Sequence, residues 1–227
     1  MTSSSDSQRL TTTGHGLHRE IRTGDSISVN AAARHLHVGL NGVALAPWEF
    51  DEASVEPGYR YELIHGVLVV NPTPQEEERD PNDELGLLLR LYQRTHAEGK
   101  SLDATLPEQE VVLGNNRRRV DRAIWCGLGR MPHRREVPTI CVEFVSVGRR
   151  NQTRDYLEKR SEYKLAGVRE YWIVDRFERR LLVVRYSDDQ DQEIGVAADE
   201  EYETQLLPGF RLPLRDSLAA ADRWEKA

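Results

Sequence analysis

VPTICVEFVS, residues 137–146, is apolar from Val137 to Val145 except at Pro138, Thr139 and Glu143. Its β-branched residues and short length predict a buried strand. A carboxylate inside such a strand is anomalous, because an unpaired buried charge is costly and calls for a cation or a metal. One run upstream, RRVDRAIWC (118–126) has the same strand character and carries Asp121. Two acids on neighbouring strands suit a hard divalent cation. The competing reading pairs each acid with an arginine, for which Arg122 and Arg117 to Arg119 are close in sequence.

Working outward, Gly114-Asn115-Asn116 fits a turn that joins 118–126 to another strand over about 103–113. Before it, Leu85, Leu88, Leu89 and Tyr92 recur at helical spacing through ELGLLLRLYQRTHAEG, with Asp83 as the expected cap and Gly99 as the stop. YELIHGVLVV (61–70) reads as two strands turned at His65-Gly66, and Asn71-Pro72-Thr73-Pro74 ends the pattern. Downstream, a helix over about 152–166 is expected to end at Gly167. Strands follow at 169–175 and 179–186, then an acidic loop with a further strand, and LLPGFRLPL (206–214) closes the domain. Residues 1–45 are rich in Ser, Thr and Gly and read as a loosely ordered or disordered lead-in, with a short helix at AAARHLH (31–37). The compact domain is then 46–227. This order of helix, strands, helix and strand predicts an α/β sandwich around a mixed sheet.

Composition narrows the function. The chain has 227 residues, of which 38% are hydrophobic and 30% charged, and no apolar stretch approaches the roughly 18 needed to span a bilayer. The N-terminal run lacks the apolar segment of a secretory signal, and Cys126 and Cys141 lack CxxC spacing, so reduced core thiols and a cytoplasmic location are expected. A net charge of −7 argues against a protein that coats nucleic acid indiscriminately. The charge is uneven, however: acidic runs at 76–84 and 188–203 flank a middle rich in arginine, from Arg117 to Arg160. Such a local basic surface can meet a phosphate backbone, although solvated arginine explains it equally well.

The second helix adds the remaining chemistry. Tyr156, Lys159, Tyr163 and Ala166 share one face at three- and four-residue spacing. That turns Lys159 toward the sheet, as a snorkelling stem or as a working ammonium. Two carboxylates with an ammonium are what phosphodiester hydrolysis needs. Asp121 and Glu143 would hold Mg²⁺ (or Mn²⁺), which polarises the phosphate and acidifies a bound water. Lys159 would position that water or stabilise the charge that develops on the phosphorus. If the acids crowd one site, neutralising either should leave metal-free stability unchanged or slightly raised.

These residues also carry a resemblance. YELIHG (61–66), NPTP (71–74), VD (120–121), VEFVS (142–146), then Asp155, Lys159 and Tyr163, GVREYWIVD (167–175) and LPGFRL (207–212) occur in the order seen in the Uma-two-type restriction endonuclease family. That family lies within the PD-(D/E)XK nuclease superfamily, and the resemblance covers roughly 48–214. It implies a restriction-endonuclease-like α/β core, a central mixed β-sheet flanked by helices, with a metal-dependent site acting on DNA. By the same resemblance Asp121 and Glu143 match the superfamily acids, Glu62 the acid of the first conserved element, and Lys159 a lysine carried on the helix. Val120 stands where the superfamily has proline, and Val145 where the named motif has lysine. The histidine frequent after the NPTP-like turn is replaced by the acidic run Glu76 to Glu84. Double-strand cleavage would favour a homodimer. The rival from another class is a catalytically silent nuclease-like module that binds DNA or a protein partner.

Overall fold

The structure is a computed structural model and describes residues 34–146 and 154–225. The mixed sheet at its centre grows from a hairpin. β3 (Tyr59–Ile64) and β4 (Val67–Pro72) are joined by His65 (φ 50°) and Gly66 (φ 77°). Two consecutive positive φ angles match the right-handed twist of antiparallel strands, and glycine supplies the second at little cost. A second hairpin follows: β5 (Leu102–Leu113) and β6 (Asn116–Cys126) pair from Leu102 opposite Cys126 to Leu113 opposite Asn116.

β6 is the organising strand. β5 occupies one of its edges throughout. Its other edge is divided: β3 pairs there at Arg117, and β7 (Ile140–Phe144) pairs from Arg122 to Ile124. β3 and β7 therefore part company along residues 118–121, which leaves a fork in the sheet. β8 (Glu170–Asp175) runs parallel to β7, and β9 (Arg180–Arg185) and β10 (Gln192–Ala197) extend the sheet antiparallel. The sheet order is β10-β9-β8-β7-β6-β3-β4, with β5 also on β6. The mixed α/β sandwich expected from the element order is what the chain adopts.

Strand alternation sorts the residues onto two faces. Ile140, Val142, Trp172 and Val174 pack under α2 (Glu76–Thr95) and α4 (Leu214–Glu225), through Leu85, Leu89, Tyr92, Leu214 and Leu218. Cys141, Val145, Tyr171 and Ile173 face the other way, against Tyr163 of α3 (Lys159–Ala166). α3 follows a π-helical turn at Arg154–Glu158 and ends on Gly167 at φ 89°. Among the described residues no helix is long and apolar enough to cross a membrane.

Several expectations shift. α2 starts at Glu76, not at Asp83, and carries Pro81 inside it. Glu76, Glu77 and Glu78 in its first turn suit the positive end of the helix dipole. α4 was not anticipated beyond LLPGFRLPL. Residues 35–45, which composition places with the lead-in, belong to the sheet's surroundings. His35–Leu36 (β1) pairs in parallel with Ser54–Val55 (β2) instead of forming a helix. Leu36 and Leu45 are buried with Phe50 of α1 (Pro47–Asp51), Tyr61, Leu63 and Leu68. The rest of the expected lead-in, residues 1–33, lies outside the described residues.

Candidate active site

Glu143 lies on the α3 face of β7, two residues from Cys141, and α3 brings its partners. Lys159 Nζ is 2.8 Å from Glu143 Oε2, and the Tyr163 hydroxyl donates to Glu143 Oε1 at 2.9 Å. Lys159 is the first α-helical residue after the π-helical turn, a distortion often found at functional positions, and Tyr163 stands one turn later. Exposure is 3% for Glu143 and 2% for Lys159, so the snorkelling reading fails: the ammonium is buried on a carboxylate. Burial, with the Glu143 carboxylate nearby, keeps the Tyr163 hydroxyl protonated far above its ordinary range, so it remains a donor. The helix is fastened to the sheet by Arg118 of β6. Its Nε and Nη2 donate to Glu162 at 2.8 and 2.7 Å.

Asp121 stands at the fork. The β6–β7 register has Arg122 opposite Val142, so one step further it places Asp121 opposite Glu143. Phe144 N–H donates to Asp121 Oδ2 at 2.7 Å, and Arg60 Nη1 donates to Oδ1 at 2.9 Å. Glu62, on β3, accepts the Arg119 N–H and the Asn71 side-chain amide, both at 3.1 Å. Where the strands part, backbone donors lose their ladder partners, and these two carboxylates take them up. The acids are thus gathered around one fork, but each is already engaged.

The arginines expected nearby as partners serve elsewhere. Arg117 pairs with Asp51, Arg118 with Glu162, and Arg122 donates to Asn82. Arg60 was missed, since its place in YRYELI reads as the polar side of an alternating strand; that alternation with Glu62 was the available signal. Burial alone would lower the pKa of Arg60, but Asp121, then Glu108, Glu143 and Glu62, outweigh it and hold the guanidinium charged.

Glu108 was also missed. It follows Pro107 in β5 at φ 49°, and the β5–β6 ladder skips it and Asp121, passing from Pro107 opposite Arg122 to Gln109 opposite Val120. Glu108 Oε1 lies 3.6 Å from Arg60 Nη1. Burial and the Asp121 charge push its carboxyl up to about 7, against Arg60 and Arg119. Two residues of α2 complete the surroundings. The Asn82 amide donates to the Asp121 carbonyl at 2.7 Å. Glu78 is the buried member of the acidic run, raised by burial despite a hydrogen bond with Ser146.

A cleft of about 820 Å³ approaches this centre. Arg60, Asn82 and Glu108 line it, as do Tyr59, Arg79 and Arg134, whereas Asp121, Glu143 and Lys159 do not. Arg119 also lines it, and its Nε is a buried donor without a hydrogen-bond partner. The wall therefore offers guanidinium groups to an anion, among the carboxylates of Asp51, Asp83, Glu108 and Glu110. Arg149 and Arg150 lie outside the described residues.

Asp121 and Glu143 supply hard oxygen donors, which suit Mg²⁺ or Mn²⁺ better than zinc. Among the described residues no three His, Cys, Asp or Glu are arranged to hold a metal. Mg²⁺ does not require three, since it is commonly held by one or two carboxylates with water and substrate phosphate. The donor set fits such an ion with two protein ligands, on the condition that Arg60 gives up Asp121 Oδ1 and that Glu143 shares an oxygen now held by Lys159 or Tyr163.

Comparison with known proteins bears on the fold and the lineage. A crystal structure of a nuclease, described as putative and as belonging to DUF820, from Anabaena variabilis superimposes with a TM-score of 0.60 at 14% identity. The match covers 78% of this chain and 99% of that one, and at this identity it shows a shared fold. No curated protein matches. The family model described as "Uma2: Putative restriction endonuclease" matches residues 47–215, a span that holds both strands of the fork, α3 and the cleft. The chain belongs to the Uma2 family.

Proposed function

We propose that the protein is a metal-dependent DNA endonuclease that hydrolyses phosphodiester bonds at the fork of β6, with the Arg-lined cleft as the path of the phosphate backbone. The observation that carries this reading is the Lys159–Glu143 pair, 2.8 Å apart and buried, beside an aspartate on the adjacent strand. Ordinary folding does not call for three ionised groups at one sheet position, because replacing a buried ion pair with apolar residues is often neutral or stabilising.

Asp121 and Glu143 would hold the divalent ion, which supplies Lewis-acid polarisation of the phosphate and an acidified water. Glu143, fixed by Tyr163, holds the Lys159 ammonium in one place. That fixed positive charge stabilises the negative charge developing on the phosphate oxygens without having to reorganise. Lys159 thus fills the role that Val145 cannot. Arg79, Arg119 and Arg134 hold the strand along the cleft. Glu62 sets the opening of the fork through the Arg119 N–H.

The silent-module reading draws on one observation: the oxygens of Asp121, Glu143 and Glu62 already have protein partners. The two readings are separated by incubating supercoiled and linear DNA with the purified chain in Mg²⁺, Mn²⁺ or excess chelator. Nicking or cutting that needs the metal and disappears in Asp121→Asn and Glu143→Gln is the expected result. Undiminished cleavage in chelator removes the metal from the reading. DNA binding without cleavage under any condition selects the silent module.

A further inference from the structure

We propose that Arg60 and Glu108 form a gate over Asp121, in which Arg60 is a resident cation competing with a divalent ion for that carboxylate and Glu108 is its second seat. The inference rests on the reading that Asp121 and Glu143 hold a metal.

A single atom, Arg60 Nη1, serves both acids. It lies 2.9 Å from Asp121 Oδ1 and 3.6 Å from Glu108 Oε1. The first distance is a hydrogen bond and the second is not yet one. A shift of under about 1 Å would make Glu108 the bonded partner instead. Both residues line the cleft, whereas Asp121 does not, so Arg60 stands between the cleft and the carboxylate. The Arg60 side chain is 15% exposed, so a guanidinium pushed off Asp121 needs another anion at hand.

The backbone explains why Glu108 is available. Pro107 and the positive φ of Glu108 interrupt the β5–β6 ladder opposite Asp121. Such a conformation is unfavourable for a residue with a Cβ and persists where its surroundings enforce it. Here the Arg119 guanidinium does so, donating from Nη1 to the Glu108 carbonyl at 2.6 Å. The kink delivers a carboxylate to Arg60 that a regular ladder would place differently. In the closed state Arg60 neutralises Asp121. With Arg60 on Glu108, Asp121 Oδ1 opens to a cation, and the guanidinium remains on the cleft wall.

The test is Mn²⁺ binding to the full chain without DNA, followed by isothermal titration calorimetry. Arg60→Gln should tighten binding at least about tenfold, and Glu108→Gln should weaken it by a similar factor. The deciding measurement is the double variant: with Arg60 absent, Glu108→Gln should have no further effect. Arg60→Lys keeps the charge without the fixed guanidinium fork and should fall between wild type and Arg60→Gln; this ordering carries the test should Arg60→Gln fail to fold. Equal weakening by Glu108→Gln with and without Arg60 would make Glu108 a direct ligand and overturn the gate. So would unchanged or weaker binding in both Arg60 variants while Asp121→Asn still abolishes it, and that outcome leaves the metal reading standing. Absence of Mn²⁺ binding in every form, or binding that survives Asp121→Asn, would sink the metal reading and the gate together.

Discussion

Glu143 and Lys159 neutralise each other in a buried setting, and that sets what their removal does. Breaking a buried pair from one side strands the other charge and typically costs about 3–5 kcal/mol. Glu143→Gln and Lys159→Met should each lower the melting temperature by the equivalent of that range. The double change Glu143→Leu with Lys159→Met should recover much of the loss in a thermal melt. The crowding expected from sequence, in which neutralising one acid relieves the other, gives way here because each acid has its own cation. Asp121→Asn should cost less than Glu143→Gln, since Arg60 still has Glu108 beside it. A larger loss for Asp121→Asn would contradict this. In catalysis, Lys159→Ala should cut the rate at saturating metal on the order of 10²–10³. Arg160→Ala is the control: Arg160 pairs with Glu193 at the surface, so equal effects at 159 and 160 would reduce α3 to a basic face. The burial of Asp121, Glu143 and Lys159 was legible because charges in apolar or inward positions break a pattern. Arg60 and Glu108 were not, because an arginine in an alternating strand and an acid after a proline break none. Their importance comes from the fork, which brings distant residues together.

α3 packs Tyr163 into the core and is fastened to the sheet by the Arg118–Glu162 clamp, while Leu165 points outward. Arg118→Ala should therefore loosen the helix and misplace Lys159, lowering stability and rate together. The clamp also carries a pH signature. Burial would raise the Glu162 carboxyl, but the Arg118 hydrogen bond and charge prevail and hold it below its ordinary range. A carboxyl depressed by folding adds stability that is fully present above its ordinary value and is lost as pH falls through the folded one. The melting-temperature advantage of wild type over Glu162→Gln should be constant from neutral pH down to about 5 and shrink below it. A gap that stays constant to pH 3 would show that the clamp is not ionic. At this scale most strands were readable, because short β-branched apolar runs between turn signals mark the strands of a buried sheet. The start of α2 was not, since an acidic run containing a proline resembles a loop until the helix dipole and the docking of Glu78 and Asn82 are seen. α4 carries its apolar side at Leu214, Leu218 and Ala221. That spacing was present in the sequence but followed a segment that already looked terminal.

The molecule as a whole is acidic, yet arginines stand among the carboxylates of its cleft, and the balance should appear in salt dependence. Each phosphate contact on duplex DNA contributes about −0.9 to the slope of log affinity against log salt. Arg134→Ala and Arg79→Ala should each flatten that slope by about one and leave the rate at saturating DNA unchanged. An unchanged slope would place the backbone path elsewhere on the surface. The core that supports all of this was largely foreseeable. Leu85 and Leu89 were marked by helical spacing, and both are buried against the sheet. The divided edge of β6 was not foreseeable, because strand partners far apart in sequence leave no local mark.

The fork has one more consequence, because the Phe144 amide hangs on a side chain instead of a strand. Its proton is bonded to Asp121 Oδ2. That amide is a built-in spectroscopic reporter. Its NMR shift should move when a cation loads onto Asp121, and its exchange with deuterated solvent should quicken in Asp121→Ala. Neighbouring amides in the regular ladder of β7 and β8 should stay unchanged. The occupancy of the site can thus be followed in a resting protein, with no substrate, from one resonance.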